Sequence, residues 1–148
     1  MDISYVLDLI GYYGPYIQAI IVLIVINANT NIVFIYTLGL LLSNLFNNFL
    51  KETIKQDRPL NQVHTDIENI CHNYGMPSYH MQCSTFSIAF LFCTTMSYRL
   101  LVITSTLGLL SFKQRHKFRR HTFLQLVVGT IVGAILGWIT YLIIKLKV

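Results

Sequence analysis

The chain is built of long apolar runs separated by short polar stretches, and the runs approach the ~20 residues that a spanning helix needs. The first covers residues 15–26. An amphipathic stretch, residues 3–13, precedes it, and the Gly14-Pro15 pair is expected either to kink that stretch into the membrane interface or to leave it lengthening the span. After the polar turn "NANTN" the second run covers 32–50 and carries Asn44, Asn47 and Asn48 near its end, where amides can hydrogen-bond to neighbouring helices. The third covers 78–96, the fourth 100–112 and the fifth 122–144. This pattern predicts an all-α, polytopic transmembrane bundle of about five spans plus a short N-terminal amphipathic helix, in a single domain over residues 1–148. In the last run Gly129, Gly133 and Gly137 recur every fourth residue, which predicts a small-residue face for close helix packing.

Composition agrees with a membrane protein, since 54% of the residues are hydrophobic and only 11% are charged. The first residues form no basic n-region and no small-residue cleavage site follows, so the expectation is a mature N-terminus without a signal peptide. Cys71, Cys83 and Cys93 have neither the spacing of a disulfide framework nor that of a zinc site. The net charge is +5, most Lys and Arg fall in two segments, 51–58 and 113–120, and such focused charge fits an anionic partner.

Counting spans brings the charged stretches together. With five, the polar interval 52–76 and the basic segment before the fifth span emerge on the same side of the membrane. In "KETIKQDRP", Lys51 and Arg58 stand about two turns apart, so a continuing helix would put both on one face, able to close on one oxyanion. Basic residues after a span also contact lipid headgroups, and that simpler reading stays open for this segment alone. In "YGMPSYHMQ", Pro77 is expected in a first helical turn, leaving Ser78, Tyr79 and His80 at a helix N-terminus that favours an anion. His80 is a candidate general acid there, or else an interfacial histidine bonded to a carbonyl. In "QRHKFRRHTFLQ", Gln125 lies four residues after His121, so on a helix its amide can orient the imidazole for attack.

Taken together, Lys51 and Arg58-Pro59, then Pro77-Ser78 and His80, then Arg115 and His121 resemble the three-part signature of the type 2 phosphatidic acid phosphatase and vanadium haloperoxidase superfamily. Within it, "YGMPSYHMQ" and "HTFLQ" are similar to the Tyr-Gly-Met-Pro-Ser-Ser-His-x-Gln and His-Thr-x-x-Gln stretches of the dolichyldiphosphatase branch. Most superfamily members have Asp where Gln125 stands, and that branch has Gln. Two departures are visible: Tyr79 replaces a Gly or Ser, and Gln114 replaces the Ser that often precedes the motif arginine.

The resemblance implies that His121 attacks the terminal phosphorus of a polyprenyl (dolichyl) diphosphate and forms a phosphohistidine. His80 would protonate the leaving oxygen, while Lys51, Arg58, Arg115, Ser78 and the Tyr79 N–H hold the phosphate, with no metal and no cofactor. It further implies an integral membrane protein of the endoplasmic reticulum serving protein glycosylation, with its active site facing the lumen, a lipid partner and no nucleic acid. Two alternatives stand beside it: a broader phosphatidate phosphatase, and an inactive relative that binds anionic lipid or a membrane partner. His64 and His72 read as solvated or paired with Asp66 or Glu68 rather than as a metal pair, and Cys93 to Arg99 lacks the glycines of a phosphate-binding cysteine loop.

Overall fold

The computed structural model describes residues 2–60 and 74–147, so His64 and His72 lie outside the described residues. Helices α1 (Ile3–Ile26), α2 (Thr30–Ile54), α3 (Tyr79–Thr95), α4 (Tyr98–Lys117) and α5 (Phe123–Lys147) make an all-α architecture. Extended pairing among the described residues is limited to one isolated bridge, Asp57 with Tyr74. Three helices, α1, α2 and α5, are long and apolar enough to cross a membrane. The chain reads as an integral membrane protein.

The amphipathic N-terminal stretch is not a separate helix. It continues into the first span as α1, with Pro15 inside it. Proline has no N–H, so the Gly11 carbonyl one turn earlier loses its helical donor. The Ser111 hydroxyl of α4 takes that place, donating to the Gly11 oxygen at 2.7 Å. A neighbouring helix thus supplies the hydrogen bond that proline removed, as membrane burial requires. Side-chain caps close the start of α1 through Asp2, of α2 through Asn29 and of α4 through Ser97, each oxygen accepting from first-turn N–H groups.

Packing orients the helices around the site. α1 runs antiparallel to α4: Gly11 meets Leu110, Gly14 meets Ser111, and Gln18 donates to the Thr104 carbonyl at 2.7 Å. α5 runs parallel to α3, with Gly129 against Ser78, Gly133 against Gln82 and Gly137 against Phe86, each on main-chain atoms. A Cβ at Gly129 would lie 2.5 Å from the Ser78 oxygen, so the glycine face predicted from the sequence sets how closely these helices approach.

α3 is the inner helix. Its buried positions include Gln82, Ser84, Thr85 and Ser87, and the polar groups of Gln82, Thr85 and Ser87 bond outward to neighbours. Gln82 donates to the Ser43 carbonyl at 2.7 Å and accepts from Asn47 at 2.8 Å, and Thr85 donates to the Thr130 carbonyl at 2.9 Å. Ser87 meets the Tyr36 hydroxyl at 2.8 Å. Of the asparagines expected to reach across helices, Asn47 does so. The apolar core, formed by Val22, Ile26, Tyr36, Phe86, Phe90, Leu91 and Ile144, fills the end of the bundle away from the polar loops. At the other end lie the start of α1, the end of α2, the start of α3, the end of α4 and the start of α5.

Candidate active site

Lys51 stands in the last turn of α2 and is buried. The helix does not continue to Arg58, because Lys55 takes a left-handed conformation at φ 50° and returns its N–H to the Lys51 carbonyl at 2.9 Å. The expectation that one helix face carries both cations is therefore corrected. After that cap the backbone of Gln56 and Asp57 pairs with the segment before α3: Gly75 N–H donates to the Gln56 oxygen at 2.8 Å, and Asp57 bridges Tyr74. Pro59 disfavours helix at Arg58. Arg58 then donates to the Arg120 carbonyl at 3.3 Å, which ties it to the loop carrying His121.

Pro77 lies just outside α3 rather than in its first turn, and Ser78 is the N-cap. The N–H groups of Tyr79, His80 and Met81 have no carbonyl one turn back within the helix. Ser78 does not cap them, and its Oγ is fully buried with no hydrogen-bond partner. A buried unsatisfied hydroxyl costs about 1–3 kcal/mol, which an anion accepting its hydrogen would offset. Beneath the α3 N-terminus, Gly129 leaves room for the Ser78 main chain. The Tyr79 hydroxyl lies beside the Cys83 thiol one turn deeper, so the side chain follows α3 while its N–H stays at the helix end.

Arg115 belongs to α4, which runs on to Lys117 rather than ending near residue 112. Its guanidinium contacts the His80 Nε2. A guanidinium only donates, so this nitrogen accepts and the His80 proton sits on Nδ1.

His121 precedes α5, which starts at Phe123. The expected contact with Gln125 depended on both being helical, and it is not made. Instead the His121 Nδ1 bonds the Gly75 carbonyl at 2.9 Å. A carbonyl only accepts, so Nδ1 carries the proton and Nε2 keeps its lone pair. Burial, and then the positive charges of Arg58, Arg115 and Lys51, push the His121 pKa down to about 3. The imidazole is neutral near pH 7, as a nitrogen nucleophile must be.

Gln125 acts on the loops. Its Oε1 accepts from Thr122 N–H at 3.1 Å, and its Nε2 donates to the Asp57 carbonyl at 2.8 Å and to Gln56 Oε1 at 3.1 Å. It lies against Gly75, where a Cβ would come within 2.5 Å of its side-chain oxygen. Gln125 is thus a positioning residue that joins the Arg58 segment, the Gly75 carbonyl and the start of α5. We expect Gln125→Ala to raise KM about tenfold through misplaced Arg58 and to lower thermal stability. An unchanged KM would show that the Arg58 segment holds without this amide.

Sequence reasoning overlooked the Gly75 carbonyl, which orients the imidazole in place of a side chain. It also gave no role to Arg120, whose guanidinium is among the most deeply buried side chains. An open cleft of about 580 Å³, lined by Pro59, Leu60, His116, Lys117, Arg119, His121, Thr122 and Phe123, reaches His121.

Lys51, Arg58, Arg115 and the Gly75 carbonyl converge on the His121 imidazole, and the sequence profile of the PAP2 superfamily matches residues 32–148, which include all of them. The chain belongs to the PAP2 superfamily. It is similar to the Dolichyldiphosphatase of Saccharomyces cerevisiae, 31% identical over 121 residues, a match covering 74% of this chain and 51% of that protein. The chain therefore spans about half the length of that curated relative. No solved structure matches it.

Proposed function

We propose that this superfamily member is a lipid diphosphate phosphatase acting on a polyprenyl (dolichyl) diphosphate. The observation that carries the reading is His121: Nδ1 is held by Gly75, Nε2 keeps its lone pair, and Lys51, Arg58 and Arg115 act on the same ring. The substrate class rests on the similarity to Dolichyldiphosphatase.

The terminal phosphate enters between the cations, Ser78 Oγ and the α3 N-terminus, so its charge is met by groups already in place. Arg115 turns from His80 to the phosphate. The negative charge now beside His80 favours its imidazolium. The His121 Nε2 then attacks phosphorus, the bond to the bridging oxygen breaks, and that oxygen leaves on the lipid monophosphate with the proton from His80. Water, with His80 now accepting a proton, cleaves the N–P bond and releases inorganic phosphate. The reading needs no metal and places the active face at the lumenal side of the endoplasmic reticulum.

The test follows phosphate release by purified protein in detergent with EDTA, from a polyprenyl diphosphate and from phosphatidate. Faster release from the diphosphate is expected. Preference for phosphatidate would overturn the substrate assignment, and no release from either by folded protein would overturn the enzymatic reading.

A further inference from the structure

Tyr12 lies on α1, ahead of the residues that match the superfamily. No sequence pattern links it to the site, yet the Arg115 guanidinium lies over its ring, 5.1 Å from the centroid. The same ring is 5.8 Å from that of His80. Neither closeness is loose packing, because α1 is fastened to α4 on both sides of Tyr12. Before it, the Gly11 carbonyl receives the Ser111 hydroxyl. After it, Gly14 sits on the same serine side chain. One turn nearer the end of the bundle, Asp8 pairs with Lys117 of α4.

We propose that Tyr12 is a positioning residue for the phosphate-binding Arg115, its ring face holding the guanidinium where a phosphate can take it from His80. The inference rests on the reading of Arg115 given above. An arginine side chain has many rotamers, and ordering it on binding costs affinity. A ring face attracts the cation without occupying its N–H donors, so the fork stays available to phosphate oxygens. A carboxylate in that position would hold the cation more strongly but would compete with the substrate. An aromatic ring positions without competing.

The test measures the inorganic phosphate concentration that half-maximally raises the unfolding temperature of the full chain, with kcat and KM alongside. Tyr12→Leu is expected to raise that concentration about tenfold, the scale of a desolvated cation–π contact, and to raise KM with it. Tyr12→Phe keeps the ring face and should stay within about twofold of wild type. Tyr13→Leu controls for loosening of α1, since that ring packs on Tyr12 and Tyr16. Should Tyr12→Leu fail to fold, Tyr12→Met fills similar space without a ring and carries the same expectation. Wild-type affinity in the ringless variant overturns the inference, as does equal weakening in Tyr12→Phe or Tyr13→Leu. Wild-type protein that neither responds to phosphate nor hydrolyses a lipid phosphate would overturn the proposed function as well, so the two failures are distinguishable.

Discussion

His121→Ala is expected to lower phosphate release by about 10⁴-fold or more, because the proposed covalent mechanism runs through this imidazole. Base-quenched wild-type protein should carry phosphate on histidine after brief mixing with substrate labelled in the terminal phosphate, and the variant should carry none. Label on wild type at another residue, or activity within tenfold in the variant, would remove His121 from the nucleophile's role. The variant also has a signature in stability. Folded His121 resists protonation down to about pH 3, whereas an unfolded histidine takes up a proton near 6.5. Unfolding therefore gains a proton in that window, and wild type loses stability as the pH falls through it. His121→Ala lacks this loss, so its stability relative to wild type should rise between pH 7 and 5. A relative stability that stays level with pH would mean that the imidazole is not held neutral by its surroundings.

Gly129→Val should have the next largest effect, for a reason of packing. The added carbons would meet the Ser78 main chain, which cannot step aside as a side-chain tip would. α3 and α5 would separate, and with them the elements that carry His80 and His121. A displacement of about 1 Å costs on the order of 10²-fold in rate, and overpacking costs about 1–3 kcal/mol in stability. Ile131→Ala, on an exposed position of the same helix, should stay within about twofold of wild type. Comparing kcat and unfolding temperature for the pair checks the expectation; near-normal kcat in Gly129→Val would show that the helix contact does not set the geometry of catalysis.

Several parts of this structure were legible in the sequence because they depend on neighbours along the chain. The apolar runs gave the helices, the fourfold glycine spacing gave the α5 face, and the charged stretches gave Lys51, Arg58, Arg115, His80 and His121 at one end. What could not be read depends on tertiary partners. Gly14-Pro15 looked like a kink because nothing local replaces the missing N–H, and the replacement, Ser111, comes from α4. Gln125 looked like the partner of His121 because helical spacing was extended one turn too far. The partner is a carbonyl, which every residue has and no sequence pattern marks. Tyr12 reaches the site only through the packing of α1 on α4.

The polar character of α3 bears on how the protein is made. A helix with Gln82, Ser84, Thr85 and Ser87 inside it is a poor candidate to leave water for lipid alone, and it is not among the helices long and apolar enough to cross a membrane. The Gln82 amide and the Thr85 and Ser87 hydroxyls find their partners on α2 and α5, and α5 is synthesised after α3. α3 is thus expected to wait at the translocation machinery, or at the membrane surface, until α5 arrives to receive it. Folding of the site then becomes coupled to the synthesis of α5, and a ribosome stalled before α5 would release a protein with its histidines still apart.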